Sequence, residues 1–121
     1  MKQICDVVVV GGGPVGSRVS SEIARNGYHV LVLEQKPSLD LPVCCTGLIS
    51  EECLQRFNFP RKLAIRSFNG ASIFSPSHNM IKIYREDIQA HLVDRSKLLL
   101  ELSESATKNG VKYLLNTGLT T

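Results

Sequence analysis

Apolar residues fall into two kinds of block along the chain. Val7 to Val10 form an unbroken run that enters Gly11-Gly12-Gly13-Pro14-Val15-Gly16, and a second run, Val30 to Leu33, ends on Glu34. Short continuous apolar runs of this kind predict strands of a parallel sheet covered on both faces. Between them the spacing predicts a helix from Pro14 to Arg25. Pro14 suits a first turn, where its missing N–H costs nothing, and Asn26-Gly27 supplies a left-handed stop. Val15, Val19, Ile23 and Ala24 form the apolar stripe expected to face the sheet. The right-handed crossover rule places the strand over Tyr28 to Glu34 beside the first.

Farther on the pattern changes. Gln35 to Gly47 reads as a loop, broken by Pro37 and Pro42. Ser50 reads as the N-cap of a short helix reaching Phe57, closed by Pro60. From Arg61 to Tyr84 the residues Leu63, Ile65, Phe68, Ile73 and Phe74 give a β-rich run, with a hairpin turn expected at Asn69-Gly70. Ile81 and Ile83 alternate with Lys82 and Tyr84, and Ser75 to Asn79 is the loop before them. This stretch, about 61–84, is expected to be a small antiparallel insertion. A helix beginning at Asp94 or Ser96 should bury Leu98, Leu99, Leu102 and Ala106, with Leu92 joining them, and end at Asn109-Gly110. Val111 to Leu115 is the next parallel strand, ended by Asn116-Thr117-Gly118. The fold class expected is α/β: an incomplete Rossmann-like parallel sheet carrying the antiparallel insertion.

The first turn carries the chemistry. Gly11, Gly13 and Gly16 fill the three glycines of G-x-G-x-x-G. The first permits the tight turn, the second lets backbone approach a pyrophosphate, and the third lets the helix pack closely on the strands. The helix then presents its free N–H groups and positive dipole end to that phosphate. Glu34 lies at the placement where a carboxylate accepts the ribose hydroxyls of an adenosine, about 20 residues on. It also argues for a free 2′-OH, since a 2′-phosphate would meet like charge. A glycine turn with a merely structural role, and Glu34 as a solvated strand-end acid, are the alternatives. The strand, turn, helix, strand and acid in succession favour dinucleotide binding.

The remaining composition narrows the picture. A chain of 121 residues, 43% hydrophobic, supports one domain with a true core, and the net charge of +3 comes without a basic cluster, so nucleic-acid binding finds no support. No apolar run approaches the ~20 residues of a membrane span. Lys2 with Ile4 to Val10 imitates a leader only faintly, because the run enters Gly-Gly-Gly-Pro directly; it reads as a first strand, and the cytoplasm is the default location. The four cysteines, Cys5, Cys44, Cys45 and Cys53, lack C-x-x-C spacing, so zinc and thioredoxin-like chemistry find no support. Cys5 is expected to be a small core residue. Cys44 and Cys45 read either as small buried residues or, more rarely, as a vicinal disulfide. His29, His78 and His91 have no ligand-spaced partners, and Glu51-Glu52 reads as favourable charge at a helix start. A flavin-type fold usually needs later strands, so the expectation is an N-terminal piece of a longer protein.

Three segments together resemble the geranylgeranyl reductase family of FAD-dependent oxidoreductases. The stretch Asp6 to Gly16 with Glu34 is similar to the FAD-binding N-terminus of many flavoproteins. Pro42-Val43-Cys44-Cys45-Thr46-Gly47-Leu48-Ile49-Ser50 resembles the family's P-x-x-C-x-G-L-x-S loop, and Val93-Asp94-Arg95-Ser96-Lys97-Leu98 resembles its V-D-R-x-x-F segment. With Gly110-Val111 these cover nearly the whole chain. Leu98-Leu99 stand where members often have Phe-Asp, and the doubled cysteine departs from the usual pattern. The resemblance implies FAD as cofactor, held by Gly11, Gly13, Pro14, Gly16 and Glu34. It also implies Cys45 near the flavin ring as the only candidate proton donor, Thr46 and Gly47 letting backbone approach the ring, and Arg95 near pyrophosphate or adenosine-side groups. Lys36 lies over the adenine edge or is solvated. It further implies a small-molecule or lipid (isoprenoid) substrate, an external electron donor such as NAD(P)H or ferredoxin, and peripheral membrane contact. The second FAD motif and the substrate domain are expected beyond Thr121. A flavin aromatic monooxygenase shares the first motif but not the cysteine loop. A non-catalytic nucleotide-binding fragment is the remaining alternative.

Overall fold

The structure, a computed structural model, describes residues 4–42 and 44–120; Met1, Lys2, Val43 and Thr121, which enter the sequence reading, lie outside the described residues. The fold is mixed α/β. It divides into two compact units, one from the chain before Cys44 together with Ser96 onward, the other Cys44–Arg95.

The first unit is built on a parallel three-stranded sheet of β1 (Val7–Val10), β2 (Val30–Leu33) and β8 (Lys112–Leu114), in the order β1-β2-β8. Val7 pairs with Val30 and Val10 with Leu33, so the crossover through helix α1 (Pro14–Arg25) returns the chain beside its first strand, as expected. Helix α3 (Arg95–Lys108) then leads to β8 at the outer edge of β2, after Gly110 turns at a φ of +94°. Side chains alternate across a strand. Val7, Val9, Val30 and Val32 pack with Ile23 and Ala24 of α1, Ala106 of α3, Val111 and Tyr113. Val8 and Val10, pointing the other way, are exposed.

Helix α1 has the expected bounds, and Ile23 and Ala24 of its expected stripe pack on the core, but Val15 and Val19 give way to serines. Its buried residues are Ser17, Ser20 and Ser21, while Val15 is 77% exposed and Val19 is also exposed. The serines can go inside because their hydroxyls are satisfied there. Ser17 donates to the Gly12 carbonyl at 3.1 Å and accepts from the Tyr113 hydroxyl at 2.9 Å. Ser20 donates to the Gly16 carbonyl one turn back, and Ser21 accepts from the Asn109 amide at 2.8 Å. Small side chains bring the helix backbone close to the sheet, which a valine stripe would hold away.

The second unit is antiparallel. Strand β7 (Ala90–Val93) lies between β3 (Leu48–Ser50) and β4 (Ala64–Phe68), and among the described residues β5 (Gly70–Phe74) pairs only with β6 (Met80–Tyr84). Ser50 caps the short helix α2 (Glu51–Arg56) by accepting from the Cys53 N–H at 3.0 Å, as its sequence announces. A 3₁₀ turn, Arg61–Leu63, precedes β4.

Two expectations fail here. Asn69-Gly70 is no hairpin turn, because β4 pairs with β7 and β5 with β6. Gly70 lacks the left-handed φ that such a turn needs; it is glycine because a Cβ there would stand 2.7 Å from the Ile83 carbonyl oxygen. The hairpin lies instead around Ser75 to Asn79, where the Ser75 N–H donates to the Asn79 carbonyl at 2.9 Å and His78 takes a φ of 62°. Leu92 belongs to β7, not to the buried side of α3.

Candidate dinucleotide site

The glycine turn between β1 and α1 is held by contacts that only glycines permit. Gly11 has a φ of +103°, and its N–H donates to the Leu33 carbonyl at 2.8 Å, tying the turn to the end of β2. A Cβ on Gly16 would stand 2.0 Å from the Gly11 carbonyl oxygen, so the first turn of the helix lies directly on the glycine turn. In front of Gly13 there is open space within 4 Å, the approach a ligand's phosphate needs. Gly13 is also the N-cap and has no side chain to occupy the first N–H groups of α1. Pro14 follows as the first helical residue.

Glu34 completes this constellation in a way its position alone did not disclose. The side chain is only 8% exposed, and one carboxylate oxygen accepts the Gly12 N–H at 2.7 Å while the other accepts the Lys36 N–H at 2.9 Å. Its backbone is fixed as well: the Glu34 N–H donates to the Leu114 carbonyl, and its own carbonyl accepts the Thr117 N–H. A carboxylate has about four acceptor sites, so two remain for a ligand's hydroxyls. Gly12 was not among the motif glycines. A Cβ there would meet Leu39 Cδ2 at 3.1 Å and Glu34 Cβ at 3.2 Å, a tight fit, so glycine eases the approach of the acid to the turn. The third glycine in the run was the signal for it. The Lys36 residue is exposed.

The second unit holds the remaining candidates. Cys44, Cys45 and Thr46 are exposed, which removes the reading of the two cysteines as small buried residues, and both thiols are free. Cys5 is half-buried and precedes β1, so it is not a core residue. Gly47 is buried, with a φ of +76°; a Cβ would stand 2.4 Å from the Val93 carbonyl oxygen and 3.1 Å from Arg95 Cγ. The loop and Arg95 are thereby brought together. Arg95 opens α3, and its Nε is buried and, among the described residues, has no hydrogen-bond partner.

One group in this unit escaped the sequence reading. His91 is 1% exposed and bonded at both ring nitrogens. Its Nε2 contacts the Glu51 carboxylate, and its Nδ1 lies 2.9 Å from the Ser67 hydroxyl. An ionised carboxylate only accepts, so Nε2 carries a proton, and the Ser67 hydroxyl pairs with Nδ1. Arg61 donates to Glu51 at 2.6 Å. The Arg61 guanidinium, then the His91 contact, hold the Glu51 carboxyl down to about 2. Glu51 therefore does more than favour a helix start. Spacings of 24 and 40 residues along the chain gave no sign of the group; only the register Ser67↔His91 does.

A parallel β-α-β unit with this turn and a strand-end acid defines the dinucleotide-binding class of α/β proteins. No protein-family model matches the chain. It is 31% identical over 119 residues to a digeranylgeranylglycerophospholipid reductase of Methanocaldococcus jannaschii, covering 97% of this chain and 30% of the relative. A geranylgeranyl diphosphate reductase of Rhodobacter capsulatus is 32% identical over 114 residues, covering 94% and 28%. The solved structure of a geranylgeranyl bacteriochlorophyll reductase-like protein from Thermoplasma acidophilum is 29% identical with a TM-score of 0.81, covering 93% of this chain and 30% of that one. A flavin-dependent brominase, at 22% identity and a TM-score of 0.69, shares the fold. Over most of its length the chain is thus similar to reductases of the geranylgeranyl reductase group of FAD-dependent oxidoreductases. It spans about a third or less of the length of the reductases it matches.

Proposed function

We propose that this chain binds FAD through its glycine turn and Glu34, as the nucleotide-binding part of an oxidoreductase that reduces C=C bonds of geranylgeranyl or related isoprenoid chains. The observation that carries the reading is the Glu34 carboxylate bonded to the Gly12 N–H at 2.7 Å, which sets an acid with spare acceptor capacity against an open glycine turn. The residues present fit the cofactor. Gly11, Gly13, Pro14 and Gly16 offer a phosphate cradle with uncapped helix N–H groups, and Glu34 offers acceptors for a ribose. FAD, when bound, supplies the hydride chemistry. On the family likeness we assign Cys45, Thr46 and Gly47 to the flavin side, with the Cys45 thiol as candidate proton donor. The orphaned Nε of Arg95 is assigned to a cofactor acceptor. Lys36 contributes its backbone N–H, which fixes Glu34. The electrons come from an external donor, NAD(P)H or a ferredoxin. The Cys45-Thr46-Gly47-Leu48 loop favours this reading over an aromatic monooxygenase.

Titration with FAD, followed by flavin fluorescence, tests the proposal. Glu34→Ala is expected to weaken binding by ~1.5–3 kcal/mol, the usual loss of a charged hydrogen bond, which is roughly ten- to a hundredfold in affinity. Circular dichroism and Tm establish that the variant is folded, since Glu34 also braces the turn. Unchanged affinity in a folded variant removes Glu34 from the site, and absence of FAD binding by the folded parent chain removes the flavin reading.

A further inference from the structure

The doubled cysteine sits where the family's loop pattern needs only one, and the structure gives the extra thiol a chemistry of its own. Cys44 and Cys45 are adjacent, exposed and free. Among the described residues, those from Gln35 to Gly47 lie outside the helices and strands, and no backbone hydrogen bond to another backbone group holds Cys44, Cys45 or Thr46. Restraint begins only at Gly47, whose carbonyl accepts the Val93 N–H at 2.9 Å. The pair is therefore free to change backbone conformation without breaking the ladder of β3 and β7.

We propose that Cys44 and Cys45 form a vicinal dithiol that small-molecule disulfides close reversibly into a ring. One cysteine thiolate attacks a sulfur of the small disulfide, forming a mixed disulfide and releasing the first small thiol. The neighbouring thiolate then attacks the protein-side sulfur, closing the Cys44–Cys45 bond and releasing the second. Two protein thiols lose two electrons, the small disulfide gains them, and the cysteine protons end on the two released thiols. Adjacent Cα atoms are about 3.8 Å apart across a trans peptide, shorter than the ~4.4–6.8 Å of ordinary disulfides. The ring is consequently strained and easily reduced, the property of labile rather than structural disulfides. Cys5 and Cys53 are half-buried and have no neighbouring thiol in the chain, so they stop at mixed disulfides.

The consequence for function rests on the flavin reading: closure consumes the free Cys45 thiol, the candidate proton donor of the loop assigned to the flavin side. The ring chemistry itself does not depend on it. The test uses the reduced chain carrying Cys5→Ser and Cys53→Ser, incubated with glutathione disulfide and followed by intact mass and fragment-ion spectra. The parent chain is sequenced by fragmentation in parallel, so that a folding defect of the background decides nothing. The expected product is lighter by two hydrogen atoms, with the bond mapped between Cys44 and Cys45, and dithiothreitol reopens it. Cys44→Ser retains a stable mixed disulfide at Cys45 instead. Accumulation of mixed disulfides on the unsubstituted pair, or failure of either thiol to react, overturns the proposal. FAD titration of the open and closed forms separates the two readings. A ring that closes in a chain that never binds FAD removes the flavin reading alone. FAD binding without ring closure removes the dithiol alone.

Discussion

At the scale of single residues, two contacts decide most. Gly16 is required by the Gly11 carbonyl oxygen, which stands 2.0 Å from where a Cβ would be. Neither partner can move away, because Gly11 is bonded to Leu33 and α1 is packed through Ser17 and Ser20. Gly16→Ala should destabilise the chain by about 3 kcal/mol, the upper end of overpacking, with denaturant unfolding as the measure. This contact was legible in the sequence because it is local: both partners lie in one turn, and the motif encodes their distance. His91 was not, since its burial depends on strand register and its partners come from α2 and β4. Its consequence appears in acid. Glu51 is held at about 2 against an ordinary 4.5, chiefly by Arg61 and then by His91. A lowered carboxylate contributes stability that is complete above the unfolded value and is lost as pH falls through the folded one. Thermal unfolding of the parent should therefore fall between pH 4.5 and about 2, and Glu51→Gln should flatten that limb. An unaltered limb in the variant would assign the acid sensitivity to other carboxylates.

At the scale of elements, the parallel sheet shows where hydrophobic pattern informs and where it misleads. The runs Val7–Val10 and Val30–Leu33 identified the strands and their adjacency, because continuous apolar sequence and the crossover rule leave few alternatives. They did not tell which face α1 would bury. Four valines in β1 are chemically equal, and the helix chose serines because their hydroxyls bond its own backbone, Tyr113 and Asn109. The two faces of the sheet thus differ in what they contribute. Val32 is fully buried beneath the helices, whereas Val10 is 58% exposed. Val32→Ala should cost about 2 kcal/mol, the transfer of two methyl groups plus a small cavity. Val10→Ala should stay within about 0.5 kcal/mol, as surface changes do. Equal losses in a denaturant series would mean that both faces are covered in solution. Asn69-Gly70 gives the complementary lesson: the dipeptide signals a turn only when glycine takes a left-handed φ, and here close approach to β6 required the glycine instead.

At the scale of the molecule, strand partnership should rank local stability. β2 is the only strand of the parallel sheet with neighbours on both edges, and it contributes Val30 and Val32 to the core. β7 is likewise flanked on both sides and carries the buried His91 and Val93. β5 and β6 pair only with each other, and Ile73, Phe74, Met80, Ile81, Ile83 and Tyr84 are all exposed. An isolated two-stranded ribbon is at best marginally stable in water, because the entropy of ordering it is set against a single ladder and little burial. Native-state hydrogen exchange opens such elements first. Amides of β5 and β6 should therefore exchange fastest among the strands, β2 slowest, with β7 between or equal to β2, read by mass spectrometry on peptides spanning each strand. Addition of FAD should slow exchange over Gly11 to Ser17 and around Glu34, since a ligand that binds only the folded state raises the cost of opening its own contacts. The ranking among strands rests on topology alone, whereas the FAD-dependent protection rests on the glycine turn. Protection of β5 and β6 equal to that of β2 would show that the ribbon's apolar side chains are covered in solution and that pairing alone does not set its stability.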